Sequence, residues 1–241
     1  MVGLDDGILS DQVPGQAVGW PLAMSADGAV IACRLTDLKT GRACVAVNGQ
    51  RGEEFDAVGP PVLSRDGARL AYRAQEGNRS FVVIGSERGP ACDLMSDPAI
   101  SADGRVVAYA AERGGRWSLV VGARETPLDH QPSHVFLSDD GGSVGYWYFE
   151  SRPGGASMIR VVAGSKTGEA FTLVGRPVFS PDGRKAAYAA DSGGRPFIVI
   201  GDRAFEAAGR ASDPVFSPDG TEVGYGVRIG REIRWKVLEV D

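Results

Sequence analysis

Four polar residues of the sequence stand at one position of a repeated pattern and have side chains suited to binding or catalysis. They are Asp97, His134, Arg176 and Asp213, called here the first-strand group. Each lies four residues before a serine that opens the tetrapeptide Ser-x-Asp-Gly. Two carboxylates, one titratable imidazole and one permanent cation would bind a small polar ligand or an ion, provided that the fold brings them together. Trp20, one position earlier in the first repeat, would be their aromatic neighbour.

The elements that must position this group are set by the tetrapeptide, which occurs six times. Its copies begin at Ser25, Ser64, Ser101, Ser138, Ser180 and Ser217, at intervals of 39, 37, 37, 42 and 37 residues. A short apolar run precedes each copy, Asp-Gly is a hairpin turn, and apolar, β-branched runs follow. Four short strands per repeat predict an all-β fold: a six-bladed β-propeller with four antiparallel strands per blade, forming a single domain over residues 1–241.

One aromatic position recurs five residues after the glycine of the tetrapeptide. It holds Tyr72, Tyr109, Tyr146, Tyr188 and Tyr225, and Cys33 takes this place in the first repeat. Because five of the six tyrosines in the chain share the position, we expect the ring to pack between neighbouring sheets.

The ends of the chain suggest how a ring of blades would close. The last repeat stops at its third strand, and 24 residues precede the first serine. We expect residues 12–18 to supply the outer strand of the last blade, which would also cover its edge.

The tetrapeptide and the strand after it resemble the TolB-type, WD-like propeller repeat of bacteria. The resemblance is carried by Phe179-Ser180-Pro181-Asp182-Gly183 and by Phe216-Ser217-Pro218-Asp219-Gly220, and it extends over all six repeats. It implies a six-bladed propeller, often a platform that binds proteins or peptides. Such repeats also occur in accessory domains of peptidases and in exported bacterial proteins, so the resemblance indicates architecture and does not select a function.

The sequence contains no familiar catalytic motif. It has no Gly-x-Ser-x-Gly, no His-Glu-x-x-His, no phosphate-binding glycine loop and no helical calcium loop. The six aspartates of the tetrapeptides are expected to bond to their own turns. We therefore predict no catalytic residue, no metal and no cofactor; an enzymatic role stays open, with a non-catalytic one favoured.

The fourth repeat departs from the others and supplies a second candidate site. Its second strand contains Trp147, Tyr148 and Phe149, and the longer loop that follows contains Arg152. Aromatic residues beside arginine have the composition of an interaction hot spot. The alternative is that they fill a wider gap between blades beneath the loop.

Two functions follow from these candidates. The first is a non-catalytic platform for a protein or peptide near the fourth blade. The second is a small-ligand or ion-binding protein, or a hydrolase or lyase, that uses the first-strand group at the mouth of a central channel. A third interpretation makes the first-strand group a hydrated rim, in which Arg176 pairs with an aspartate.

Composition limits the partners and the compartment. The chain has 26 basic and 31 acidic residues, a formal charge of −5, and no basic run, which argues against nucleic-acid binding. No apolar stretch is long enough to insert into a membrane. We expect a soluble monomer, cytoplasmic unless a signal peptide has been removed. Cys33, Cys44 and Cys92 lack metal-type spacing; they are interpreted as buried small hydrophobes, although a Cys33–Cys44 disulfide is left open.

Overall fold

The computed structural model describes residues 16–151 and 157–240, whose regular structure is entirely β-strand. The strands form six antiparallel sheets, one after another along the chain. Sheet 1 contains β1 (Gln16–Met24), β2 (Ile31–Asp37), β3 (Ala43–Val47) and β4 (Gln50–Phe55). Sheet 2 contains β5 (Ala57–Val58), β6 (Val62–Leu63), β7 (Leu70–Glu76), β8 (Arg79–Ile84) and β9 (Glu87–Arg88). Sheet 3 contains β10 (Leu94–Met95), β11 (Ala99–Ile100), β12 (Val107–Arg113), β13 (Arg116–Val121) and β14 (Arg124–Leu128).

The three remaining sheets follow the same order. Sheet 4 contains β15 (Pro132–Leu137), β16 (Val144–Ser151), β17 (Ser157–Ala163) and β18 (Lys166–Phe171). Sheet 5 contains β19 (Leu173–Val174), β20 (Val178–Phe179), β21 (Ala186–Ser192), β22 (Arg195–Ile200) and β23 (Arg203–Glu206). Sheet 6 contains β24 (Arg210–Ala211), β25 (Val215–Phe216), β26 (Glu222–Ile229) and β27 (Glu232–Glu239). The predicted all-β class is confirmed.

Proline explains why the first strand is divided in four of the sheets. Three residues before the serine, these repeats carry Pro61, Pro98, Pro177 and Pro214. Proline has no N–H to donate, so it interrupts the ladder and leaves two short strands on the same neighbour. The fourth repeat has Val135 at this position, and its first strand, β15, is continuous.

Each Ser-x-Asp-Gly forms the predicted turn. In the copy at Ser180, the hydroxyl donates to Asp182 Oδ1 at 2.6 Å and accepts the N–H of Lys185 at 3.0 Å. Gly183 has a φ of 69°, a conformation that disfavours other residues. The aspartates therefore hold their own hairpins, as predicted.

The repeated tyrosine packs between neighbouring sheets, which confirms its predicted role. All five tyrosines are buried. Tyr72 of sheet 2, for example, lies in one apolar cluster with Ala43, Val45 and Phe55 of sheet 1. Comparable clusters join sheets 2 and 3, 3 and 4, 4 and 5, and 5 and 6.

The turns of successive repeats are also linked by backbone hydrogen bonds. Ala26 N donates to Arg65 O, Arg65 N to Ala102 O, and Ala102 N to Asp139 O, each at 2.8 Å. The guanidinium of Arg65 reaches the Asp139 carboxylate at 2.5 Å, across the intervening repeat. Since a side chain of one sheet bonds to the next sheet but one, these turns converge.

The expected strand over residues 12–18 is wrong for its described part. Gln16, Ala17 and Val18 belong to β1 and pair with β2 of sheet 1, not with sheet 6. Residues 12–15 lie outside the described residues. Within the described chain β27 pairs only with β26, and no apolar cluster joins sheet 6 to sheet 1.

The cysteines behave as small hydrophobes. All three are free and buried, and Cys33 and Cys44 lie on paired strands without bonding to each other. Between residues 16 and 240, apart from 152–156, no helix is long and apolar enough to cross a membrane.

Candidate functional site

The first-strand group lies where its name implies, on or beside the first strands of sheets 3 to 6. Asp97 follows β10, His134 lies in β15, Arg176 follows β19, and Asp213 follows β24. The side chain of Trp20 is not described, although its backbone belongs to β1.

Asp97 pairs with an arginine of the preceding sheet. Its Oδ1 accepts from Arg73 Nε at 3.2 Å, and both side chains are partly exposed. A partly exposed pair of this kind stabilises a fold by about 0–1 kcal/mol. Arg34 of sheet 1 holds the position of Arg73, but the neighbouring sheet 2 has Pro60 in place of the aspartate. The Nε of Arg34 is buried without a hydrogen-bond partner among the described residues.

Asp213 fixes the backbone of the neighbouring sheet. Its Oδ1 accepts the N–H of Arg176 at 3.0 Å. A Cβ added to Gly175 would collide with the same oxygen, just as a Cβ on Gly59 would collide with Asp97. The two aspartates thus occupy space that glycine leaves in the preceding sheet.

These contacts change the expected pairing of the rim. The guanidinium of Arg176 does not pair with an aspartate in the described structure; only its backbone does, and the partner of Asp97 is Arg73. The sequence contained a signal for Arg73, because it stands nine residues after its serine, as does Arg34.

His134 lies between groups of opposite charge. Burial lowers the pKa of His134, the Arg176 guanidinium lowers it further, and the Asp97 carboxylate opposes both effects. The imidazole is therefore neutral at pH 7. The structure brings Asp97, His134 and Arg176 into one electrostatic neighbourhood, while Asp213 contacts Arg176 through the backbone.

Two aromatic residues of β16 extend this neighbourhood towards the surface. Trp147 lies with its ring centroid 6.3 Å from that of His134. Phe149, two residues along the same side of the strand, meets Trp147 edge-on at 5.5 Å and is 55% exposed. The two rings thus form an apolar patch that is exposed at Phe149.

Tyr148 points to the other side of β16 and is partly buried against the core. It packs against the cluster between sheets 3 and 4, and its ring stacks on His130 at 3.7 Å. His130 lies after β14, and its Nε2 is 3.1 Å from the Tyr146 hydroxyl. Tyr148 therefore contacts the core and not the pair formed by Trp147 and Phe149. Arg152 lies outside the described residues.

A groove opens between sheets 5 and 6. It has a volume of about 510 Å³, and its walls include Val174, Leu173, Ala189 and Arg210. Val174 packs in the same cluster as Trp147. Ala189, which lines the groove, stands at the repeat position that Trp147 holds in sheet 4, so sheet 5 has a much smaller side chain there.

No described group of three or more His, Cys, Asp or Glu side chains is arranged to hold a metal ion. From sheet 3 to sheet 6, the first-strand group presents a carboxylate, an imidazole, a guanidinium and a second carboxylate. Its carboxylates, guanidinium and imidazole suit polar or charged contacts with a ligand.

Comparison with known proteins supports the fold. No protein-family model and no curated protein matches the chain. One similar solved structure is the β-propeller domain of the Trilobed protease from Pyrococcus furiosus, which is described as having an open velcro topology. It is 9% identical to this chain, and the match covers 95% of this chain and 82% of that domain, with a TM-score of 0.57.

Two further structures are similar. Oligogalacturonate lyase from Vibrio parahaemolyticus is 11% identical over 79% of this chain and 67% of its own, with a TM-score of 0.53. TolB from Acinetobacter baumannii is 14% identical, and the match covers 93% of this chain and 77% of TolB, with a TM-score of 0.43. Such identities carry information about the fold alone. The chain thus has the fold of β-propeller proteins, as the TolB-type repeat predicted.

Proposed function

We propose that this protein is a non-catalytic platform that binds an extended segment of a partner protein. The segment would lie on the surface formed by Trp147, Phe149 and the groove of sheet 5, with Arg176 and Asp213 at its polar end. The observation that carries the proposal is the exposed Phe149 supported by Trp147. Aromatic anchors beside an arginine are the usual hot spots of such interfaces.

The groove supports an extended ligand. Its floor is apolar at Val174 and Ala189, whereas Arg210 and Asp191 supply charges at its rim. Leu173 lies on the wall with 63% of its surface exposed, so an apolar side chain of the partner would cover it. Binding sites commonly combine such an apolar floor with a few polar groups that fix orientation.

Selection from a displayed library of random peptides, followed by fluorescence anisotropy with the selected peptide, tests the proposal. Phe149→Ala should weaken binding about tenfold or more, which corresponds to ~1.4 kcal/mol. Leu38→Ala is the matched control, because Leu38 is 67% exposed but belongs to sheet 1. Failure to select any peptide, or equal losses in both variants, would contradict the platform.

A second candidate is a small anionic ligand at the first-strand group. It is favoured by the Arg176 guanidinium, which forms no ion pair within the described residues, and by the neutral His134 beside it. A thermal-shift screen with polar metabolites would detect such a ligand. Shifts that persist in His134→Ala would argue against this site.

We also infer that the six sheets are the six blades of a closed ring. The supporting features are the convergent turns and the open edge of sheet 6. In each of sheets 1 to 5, the outer strand is followed in the chain by the first strand of the next sheet. If sheet 6 and sheet 1 follow the same rule, the chain before Gln16 would supply the missing outer strand beside β27.

A further inference from the structure

Arg34 of sheet 1 is a cation without a counter-ion among the described residues. Its guanidinium forms no ion pair with any of them, and its Nε is buried without a hydrogen bond. The residue as a whole is partly exposed. A charged group that gives up part of its hydration without gaining a partner is unfavourable for the fold. The position therefore favours an anion that comes from outside the described chain.

Gly19 holds the guanidinium of Arg34 in place. The two residues are paired on β1 and β2. A Cβ added to Gly19 would lie 2.5 Å from Nε and 2.9 Å from Nη2 of Arg34, so the guanidinium lies directly over the glycine. Glycine in a strand often marks such a close approach. The positive charge is thus held against the first strand of sheet 1.

The next seam shows which partner an arginine at this repeat position takes. Arg73 lies against Gly59 of its own first strand and pairs with Asp97 of the following sheet at 3.2 Å. Sheets 1 and 2 pack through the same kind of tyrosine seam as sheets 2 and 3. Pro60 therefore takes the place beside Arg34 that Asp97 takes beside Arg73.

The seam between sheets 1 and 2 thus keeps the arginine and lacks the carboxylate. Pro60 precedes Pro61 just as Asp97 precedes Pro98, so the backbone context of the two positions is alike. Pro60, like Arg34, is partly exposed. Because Nε is buried, a ligand would bind to the terminal nitrogens of Arg34. Two parallel N–H donors of a guanidinium match the two oxygens of a carboxylate.

We propose that Arg34, beside Pro60, binds a carboxylate group supplied by a ligand, in the place that Asp97 fills in the next seam. The carboxylate belongs to a small organic acid or to an acidic side chain of a partner protein. The site uses neither the aromatic pair of sheet 4 nor the first-strand group, so it stands apart from both functions proposed above.

Titration with sodium acetate, followed by nuclear magnetic resonance of the arginine side-chain N–H groups, tests the proposal. The buried Nε–H of Arg34 should give a separate signal, which Arg34→Lys identifies by its loss. This signal should shift with acetate until it saturates and should not shift with sodium chloride at the same ionic strength. The Nε–H of Arg73 is the internal control, because it is already bonded to Asp97.

Two reciprocal variants exchange the seams. Pro60→Asp supplies the missing carboxylate, so the Arg34 signal should be shifted without acetate and its response to acetate should be lost. Asp97→Pro removes the partner of Arg73, whose signal should then gain a response. An Arg34 signal that ignores acetate, that responds equally to chloride, or that responds in Pro60→Asp as in the wild type would each overturn the proposal.

The source of the carboxylate is identified by comparing two further ligands in the same titration. Glutarate represents a free acid, and a capped peptide with a single glutamate represents a partner protein. The ligand that shifts the Arg34 signal at the lower concentration identifies the source. Loss of both responses in Pro60→Asp is expected, and persistence of both would overturn the assignment to Arg34.

Discussion

At the scale of single residues, the repeated aspartates show how side-chain hydrogen bonds hold one short motif in a fixed turn. The serine hydroxyl of each copy donates to the aspartate two residues on and accepts a backbone N–H five residues on. The carboxylate in turn accepts a backbone N–H from beyond the glycine. The hydroxyl and the carboxylate of each six-residue segment, such as residues 25–30, are thus bonded within the segment and do not involve the side chain at the second position.

These hydrogen bonds make stability depend on acid pH. The hydroxyl of Ser217 and the N–H of Thr221 lower the pKa of Asp219 from 3.8 to about 2. A carboxyl group whose pKa is lower in the folded state stabilises the fold above about pH 3.8, and this contribution is lost as the pH falls towards 2. The melting temperature of Asp219→Asn should therefore fall less between these pH values than that of the wild type. Leu38→Ala, at an exposed site without a titratable group, should keep the wild-type slope.

Gly175 provides a second prediction at this scale. Gly175→Ala would place a methyl group against the Asp213 carboxylate and should destabilise the fold by about 1–3 kcal/mol. Asp213→Ala removes the colliding group, so the double variant should recover part of that loss. Urea denaturation of the two single variants and the double variant measures the coupling; strictly additive losses would contradict the contact.

At the scale of strands and sheets, much of the fold followed from spacing alone. The turns, the second strands and the role of Tyr72 and its equivalents could be predicted, because a turn and its flanking apolar runs are local in the sequence. The pairing of Arg73 with Asp97 could not, since it joins two repeats. The groove could not be predicted either. It lies between two sheets beside the small side chain of Ala189, and the spacing of residues along the chain does not give the distance between neighbouring sheets.

Burial in the seams predicts which aromatic residues support the fold. Tyr72 is buried and meets the ring of Phe55 edge-on at 6.3 Å. Its replacement by alanine leaves a cavity between sheets 1 and 2 and should lower the free energy of unfolding by about 3–5 kcal/mol. Phe149→Ala, on the surface, should change it by no more than about 0.5 kcal/mol. Urea denaturation compares the two; similar losses would mean that Phe149 also supports a seam.

At the scale of the whole molecule, the unusual surface is the open side of sheet 6. Ile233, Trp235 and Val237 alternate along β27 and are 80%, 74% and 59% exposed. Trp235 and Val237 pair with Gly226 and Gly224, so their side of the sheet is flat. Sheet 1 has Cys33 where the other repeats have tyrosine. A tryptophan from sheet 6 would supply the bulk that this seam lacks, which fits the closed ring that we infer.

Deletion of residues 1–15 tests that closure. If these residues complete sheet 6, their loss exposes an edge strand and the apolar side chains beside it, and the melting temperature should fall by several degrees, as expected for a loss of more than about 1 kcal/mol. Trp235→Ala should then destabilise the full chain by much more than the ~0.5 kcal/mol typical of a surface site, and should add little to the deletion, because both changes open one seam. An unchanged melting temperature after the deletion, together with a neutral Trp235→Ala, would leave β27 a free edge and remove the closed ring.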